Sequence, residues 1–429
     1  MRIVNLTEDS RKDILRKLLK RSPSQYPEYE KTVNEIISSV REKGDEAVFE
    51  LTEKFDGFSC DMASVKVSKE EMDRAYASYD KELIRIMRSA ASNITAYHEK
   101  QKVNSWIETR EDGTILGQKV SPIENVGVYV PGGKAAYPSS TLMCILPAIV
   151  AGVKRIVMVT PADKDGRVAD CTLVAARICG VNEIYKVGGA QAIAALAYGT
   201  KSIPRVDKIV GPGNIYVALA KKAVFGHVGI DSVAGPSEIL IIADDGANPK
   251  YVAADLLSQA EHDQLASAIL ITTSQRLAEE VSREADNFMA SLERRDIIEK
   301  SLDNYGYILV AGDMDEAVDA ANEIASEHLE IVAKDPYEIM TRISNAGAIF
   351  IGEYSSEPLG DYFAGPDHVL PTNGTARFFS PLSVDTFIKK SSIISYSRSA
   401  LEAVHTDIER FAESEGLTAH ANSIRVRFQ

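Results

Sequence analysis

The sequence predicts an α/β protein with two parallel-sheet domains, a helical N-terminal segment and a small helical C-terminal tail. Three observations predict it. From about residue 125 short β-rich runs alternate with helix-like segments, the pattern of βαβ units in parallel sheets. That alternation runs through one series and then starts again. The 429 residues also exceed what one hydrophobic core usually supports.

In chain order, residues 8–20 and 27–55 are charged and helical in period, and a second helical run covers about 69–101. No chemical constellation stands out there, so these read as scaffold. The first β series is VGVYV, RIVMVT, EIYKV and VDKIV; the second is EILIIAD, SAILITT, YGYILVA, LEIVA and AIFIG. After Phe350 periodicity stops in GEYSSEPLGDYFAGPDHVLPTNGTARFFS, too long for an idle connection and too aromatic for disorder. In the tail, Leu401, Val404, Ile408 and Phe411 form one apolar stripe at helical spacing. So small a tail must pack on the body or on another subunit.

Hydrophobic residues at 45% and charged residues at 26% are ordinary for a globular chain. The net charge of −14 opposes general binding to nucleic acid or anionic membrane. Cys60, Cys144, Cys171 and Cys179 show no CxxC spacing, which points to a reducing compartment. The N-terminus lacks the apolar stretch of a signal peptide. CILPAIVAGV at 144–153 falls far short of the ~20 residues of a spanning helix. A cytoplasmic protein is expected.

Three glycine turns sit between strand and helix: VPGGKAAYPSST at 130–141, VGGAQAIAALAYGT at 187–200 and VGPGNIYVALAKK at 210–222. They offer backbone N–H groups at helix N-termini, suited to phosphate, although neither usual nucleotide fingerprint is present. Gln259 and His262 in SQAEHD share a helix face, but two side chains cannot complete a zinc site. Glu327 and His328 in ASEHLEI stand where helix gives way to strand; together a carboxylate and an imidazole divide water activation and proton transfer. The long loop adds Asp361, Asp367 and His368, and the tail Glu415 and His420. Each is weak alone. As a set they suit zinc or a similar divalent ion, and the lack of Cys ligands favours a catalytic site over a closed structural one. Cys144 and Cys179 lie in apolar helical settings, so no catalytic cysteine is assigned.

The segments VPGGKAAYPSST, VGPGNIYVALAKK, DSVAGPSEIL, LSQAEHD, SEHLEI, GDYFAGPDHVLPT and EGLTAHANSIRVR, in order and spacing, resemble the histidinol dehydrogenase family from about residue 120 to the C-terminus. The resemblance implies a zinc enzyme oxidising L-histidinol to L-histidine through the aldehyde with two NAD, the last step of histidine biosynthesis. It implies zinc on Gln259, His262, Asp361 and His420, and Glu327 and His328 as the acid/base pair. Ser237 and Glu415 would contact substrate beside His328 and the metal ligands. Tyr129, Gln191 and Asn214 would contact NAD. It further implies a homodimer whose tails reach each other's active sites. The expected organisation is a helical arm over 1–22, then two Rossmann-like, incomplete domains: 23–128 plus 238–380, carrying metal and acid/base residues, and 129–237 on the NAD side. A helical tail over 381–429 completes it. The competing reading is a zinc hydrolase in which Glu327 activates water against an amide.

Overall fold

The structure, a computed structural model, describes residues 1–19, 21, 27–132 and 136–429. Part of the first glycine turn and the expected boundary after residue 22 lie outside the described residues. The strands are β1 (Arg2–Asn5), β2 (Trp106–Thr109), β3 (Ile115–Pro122), β4 (Asn125–Tyr129), β5 (Arg155–Val159), β6 (Ile184–Tyr185), β7 (Lys208–Val210), β8 (Gly229–Ile230), β9 (Glu238–Ala243), β10 (Ser267–Thr272), β11 (Gly306–Val310), β12 (His328–Val332), β13 (Ala348–Ile351) and β14 (Ile388–Ser395). By contacts the chain divides into two compact units, Met1–Gln101 with Ile123–Phe387, and Lys102–Pro122 with Ile388–Gln429.

The first unit holds two parallel sheets, as the alternating runs predict. The smaller is ordered β6-β5-β4-β7-β8. The larger is ordered β1-β11-β10-β9-β12-β13. Counted from β4 and from β9, both contain the order 3-2-1-4-5, the doubly wound order without its usual sixth strand, and β1 adds a strand at the far edge of the larger sheet. EILIIA and SAILIT are buried at every position, because helices cover both faces and leave no polar side for alternation.

The N-terminal helices distribute themselves in a way the sequence does not reveal. The first residues form strand β1, which pairs with β11, and Ile14 and Leu18 pack into the larger sheet's core. Val33, Ile36, Ile37 and Val40 of helix Pro27–Lys43 pack instead with the smaller sheet's core, around Val157, Ile193 and Val217. Helices Lys69–Ser78 and Lys81–Glu99 likewise contact the smaller sheet's helices. The expected grouping of 23–128 with 238–380 therefore differs from this packing. An amphipathic helix presents an apolar stripe but does not encode which sheet receives it.

The second unit is a three-stranded antiparallel sheet, β14-β3-β2, with helices Arg398–Glu402, His405–Ser414 and Thr418–Arg425. The tail is thus not purely helical. IKKSSIIS has no apolar alternation, and only its ladder with β3 makes it a strand. Val404 breaks the expected stripe into two helices. Among the described residues, no core cluster draws on this unit, and Ile107, Ile394 and Phe411 are 65%, 73% and 70% exposed. No helix of the described residues is long and apolar enough to cross a membrane.

Candidate active site

Helix Met314–Ile324 ends at Ala325 in the left-handed conformation, φ 52°, and the chain turns at once into β12. The turn is held by Ser326, whose Oγ donates to the His328 carbonyl at 2.7 Å. The Gly347 amide donates to the Ser326 carbonyl at 3.0 Å, and a Cβ on Gly347 would collide with the Glu327 carbonyl oxygen. Only glycine allows that approach.

Glu327 and His328 are buried at the N-terminal edge of the larger sheet, beside the start of β9. The Glu238 amide donates to Glu327 Oε2 at 2.9 Å. Burial pushes the Glu327 carboxyl well above its ordinary value; that amide opposes the rise, and the charges of Glu238, Asp361 and Glu357 add to it. His328 Nδ1 lies 3.0 Å from the Glu238 carbonyl oxygen. A carbonyl can only accept, so Nδ1 carries the proton and Nε2 keeps its lone pair. That Nε2 is buried without a hydrogen-bond partner and stands 3.9 Å from Asp361 Oδ1. Burial lowers the His328 pKa to about 3, so the ring is a neutral base. Glu238 itself forms a buried ion pair with Arg21, which anchors this edge.

A donor cluster faces that pair. Gln259, in the last turn of helix Pro249–Ala260, is 1% exposed, and neither amide atom has a hydrogen-bond partner. His262 follows in the turn beyond the helix, its amide donating to the Gln259 carbonyl at 3.2 Å. Ligand atoms of His262, Glu357 and Asp361 lie within 4.8 Å of one another. His262 is exposed as a residue, yet enough protein surrounds its ring for desolvation to lower its pKa, followed by the charges of Arg294 and His368.

Asp361 sits on a π-helical turn, Gly360–Ala364, a motif frequent at functional sites. Helix Lys81–Glu99, read as plain scaffold, holds this turn: Asn93 Nδ2 donates to the Phe363 carbonyl at 2.9 Å. Gly365, at φ 113°, packs so close to the Asn93 carbonyl oxygen that a Cβ would lie 2.8 Å from it.

Glu357 stands out little in the sequence. Its one signal is an acid four residues before Asp361, obscured because the loop shows no recognisable helical turn. His368, weighed only as a loop candidate, has Nδ1 3.7 Å from Asp361 Oδ1 and Nε2 3.2 Å from Ser140 Oγ. Asp367, its neighbour, faces His98 instead, with Oδ2 3.8 Å from Nε2. Ser237 precedes β9 and is half-buried, its carbonyl accepting from the Ser267 amide at 3.0 Å.

Imidazole, carboxylate and carboxamide donors, with a buried amide lacking partners, fit a divalent cation of borderline character. Electrostatics agree. Burial pushes Glu357 up to about 8 and Asp361 to about 6, so this pocket concentrates more negative charge than it can hold ionised. A pH dependence of the metal-free protein follows. Folding retains protons on Glu357 and Asp361 that the unfolded chain loses near 4.5 and 3.8, so stability is lost as pH rises through 6 and 8. His328 and His368, lowered to about 3 and 4 from 6.5, act in the opposite sense and only below 6.5. The melting temperature of the metal-free protein is therefore expected to fall between pH 6.5 and 8, and excess divalent cation to remove the slope. A flat metal-free profile would show that Glu357 is not held protonated.

The cofactor-side candidates lie elsewhere in the first unit, at the C-terminal edge of the smaller sheet. Tyr129 ends β4, and its hydroxyl accepts from the Gly189 amide at 3.2 Å. Gln191, in the first turn of helix Gly189–Tyr198, is 1% exposed with both amide atoms unpartnered. Asn214 follows β7 and caps helix Ile215–Val224 by accepting from the Tyr216 and Val217 amides at 3.1 and 3.2 Å. Tyr129 and Asn214 flank the point between β4 and β7 where strand order reverses, the usual dinucleotide crevice, and the hydrogen bond from Gly189 to Tyr129 brings the first turn of Gln191's helix beside it. Glu415 and His420 belong to the second unit, where both are exposed. Cys144 and Cys179 are inert thiols: burial pushes Cys179 up to about 12 and Cys144 well above its ordinary value.

The sequence model of histidinol dehydrogenases matches residues 19–428. The chain belongs to the histidinol dehydrogenase family. It is thus an enzyme, of an NAD-dependent oxidoreductase family. Among relatives, the histidinol dehydrogenase of Halalkalibacterium halodurans is 58% identical over 397 residues, 92% of this chain and 93% of that protein. That of Clostridium acetobutylicum is 52% identical over 430 residues, 100% and 99% respectively. The crystal structure of histidinol dehydrogenase from Elizabethkingia anophelis superposes with a TM-score of 0.93 at 36% identity, covering 100% of this chain and 98% of that one.

Proposed function

We propose that this enzyme oxidises L-histidinol to L-histidine through L-histidinal with two NAD, completing histidine biosynthesis. The observation that carries the mechanism is the buried, unpartnered Nε2 of His328 opposite Asp361. Gln259, His262 and Asp361, with the partner subunit's His420, would hold one zinc ion per subunit, and the Glu357 carboxylate lies within the same cluster. When bound, zinc supplies charge that orients the substrate's imidazole and amino groups, and NAD supplies the electron acceptor for each oxidation.

The protein's own residues handle the protons. His328 Nε2 takes the alcohol proton in the first oxidation, its tautomer held by the Glu238 carbonyl. Glu327 then takes a proton from the water that adds to the aldehyde, and its Oε2 is oriented by the Glu238 amide. The resulting hydrate loses its second pair of electrons in the same site. Ser237 and the partner subunit's Glu415 would bind substrate, and Tyr129, Gln191 and Asn214 would bind NAD. The exposed apolar residues of the coreless second unit are the support for a homodimer. We place the enzyme in the cytoplasm, where its four free cysteines stay reduced. The hydrolase reading has no counterpart in a family of oxidoreductases.

Counting products tests this. Two NADH are expected per L-histidinol consumed, with little free aldehyde, because one acid/base pair serves both steps. A ratio of one, or histidinal building up in bulk, would defeat the scheme.

A further inference from the structure

Doubly wound sheets that bind dinucleotides place a carboxylate to hydrogen-bond the adenosine ribose, commonly at the end of the second strand in the order. In the smaller sheet that strand is β5. It runs into Thr160, Pro161 and Ala162 without an acid. The next carboxylate, Asp163, is exposed, and its Oδ1 accepts from the Asp165 and Arg167 amides at 2.9 and 2.8 Å. The expected carboxylate is missing from the sheet itself.

Another chain segment brings one to the same edge. Asp56 is the last residue of helix Asp45–Asp56, which Gly57 terminates in the left-handed conformation, φ 73°. The side chain is half-buried; its Oδ2 is sealed from bulk solvent, and the Gly188 amide is the backbone donor its carboxylate meets. It lies against the turn after β6: a Cβ built on Gly188 would stand 3.4 Å from this oxygen and 2.7 Å from Pro161 Cβ. Gly188 opens helix Gly189–Tyr198 and, as a glycine, brings no capping side chain of its own. Asp56 is also near enough to Tyr129 for its charge to raise that phenol's pKa. So a half-buried carboxylate sits beside Pro161, which follows strand two, and Gly188, which follows strand three, where the second strand's own acid would stand. Among the described residues no Lys or Arg pairs with it.

We propose that Asp56 accepts the hydroxyls of the adenosine ribose of NAD and excludes the 2′-phosphate of NADP. The proposal rests on the NAD-dependent reading above. A ribose diol donates to lone pairs that the Gly188 amide leaves free on the carboxylate. A 2′-phosphate has no proton to give and brings negative charge against an unneutralised carboxylate.

The test compares wild-type enzyme with Asp56→Ala and Asp56→Asn in two ways. One is direct NAD and NADP binding, read by calorimetry without metal or substrate, where Kd is expected to move as KM does. The other is kinetics of the zinc-loaded enzymes with NAD, NADP and L-histidinol varied. Asp56→Ala is expected to raise KM for NAD by roughly ten- to a hundredfold, as when a hydrogen bond to a charged group is lost. KM for histidinol should stay unchanged. Asp56→Asn keeps the shape but not the charge, so it serves even if the alanine variant folds poorly. It is expected to shrink the NAD-over-NADP ratio of kcat/KM by about tenfold or more. A wild-type enzyme that reduces NAD, beside variants with unaltered KM and ratio, would overturn the Asp56 assignment alone. Parallel losses with both cofactors at a constant ratio would mark a structural role and overturn it equally. A wild-type enzyme unable to reduce NAD would defeat the oxidoreductase reading and this proposal with it.

Discussion

His328→Asn is expected to slow oxidation of L-histidinol by roughly 10²–10⁴-fold, the usual contribution of a positioned general acid or base. The argument is geometric. The Nδ1 proton is committed to the Glu238 carbonyl at 3.0 Å, so the lone pair must be on Nε2, which has no protein partner. With a pKa lowered to about 3, the ring needs no deprotonation near neutrality. Asparagine can keep the bond to Glu238 but offers no comparable base. Glu327→Gln separates the two steps. If Glu327 serves water, the amide should impair oxidation of supplied histidinal far more than the first oxidation of histidinol. Single-turnover assays started from each compound would read the difference. Equal, small losses in both would remove its role.

Two inactive variants are expected to restore activity when mixed. His420→Ala lacks a tail ligand, and Glu327→Ala lacks a core carboxylate. If each tail completes the partner's site, a mixed dimer has one site with the intact core of the His420→Ala chain and the intact tail of the Glu327→Ala chain. The other site carries both lesions, because two-fold symmetry makes the exchange reciprocal. Subunit exchange should therefore recover substantial activity. Hybrid dimers confirmed by mass yet wholly inactive would place each tail on its own chain and reject the shared site. The exposure of His420 and Glu415, on a unit that contributes to no core cluster, motivates the experiment.

Much of this protein was legible from its residues. EILIIAD, SAILITT and VGVYV announce strands because continuous apolar runs of that length suit a sheet covered on both faces. Their alternation with helices dictates parallel connections. The turn from helix to strand at Glu327–His328 was readable for the same reason. The short strands β1 and β8, the β2–β3 hairpin and strand β14 were not, since pairing partners rather than their own patterns define them.

By itself the sequence determined the α/β class, the two strand series and the family whose ordered motifs the chain carries. Only tertiary structure decided that helix Pro27–Lys43 joins the smaller sheet and that Glu357 stands beside His262 and Asp361. It likewise decided that Asp56, more than a hundred residues from β6 in sequence, reaches the turn at Gly188. Local pattern records the period of an element and the face it must bury, whereas contacts between distant segments depend on which surfaces close together in the folded chain.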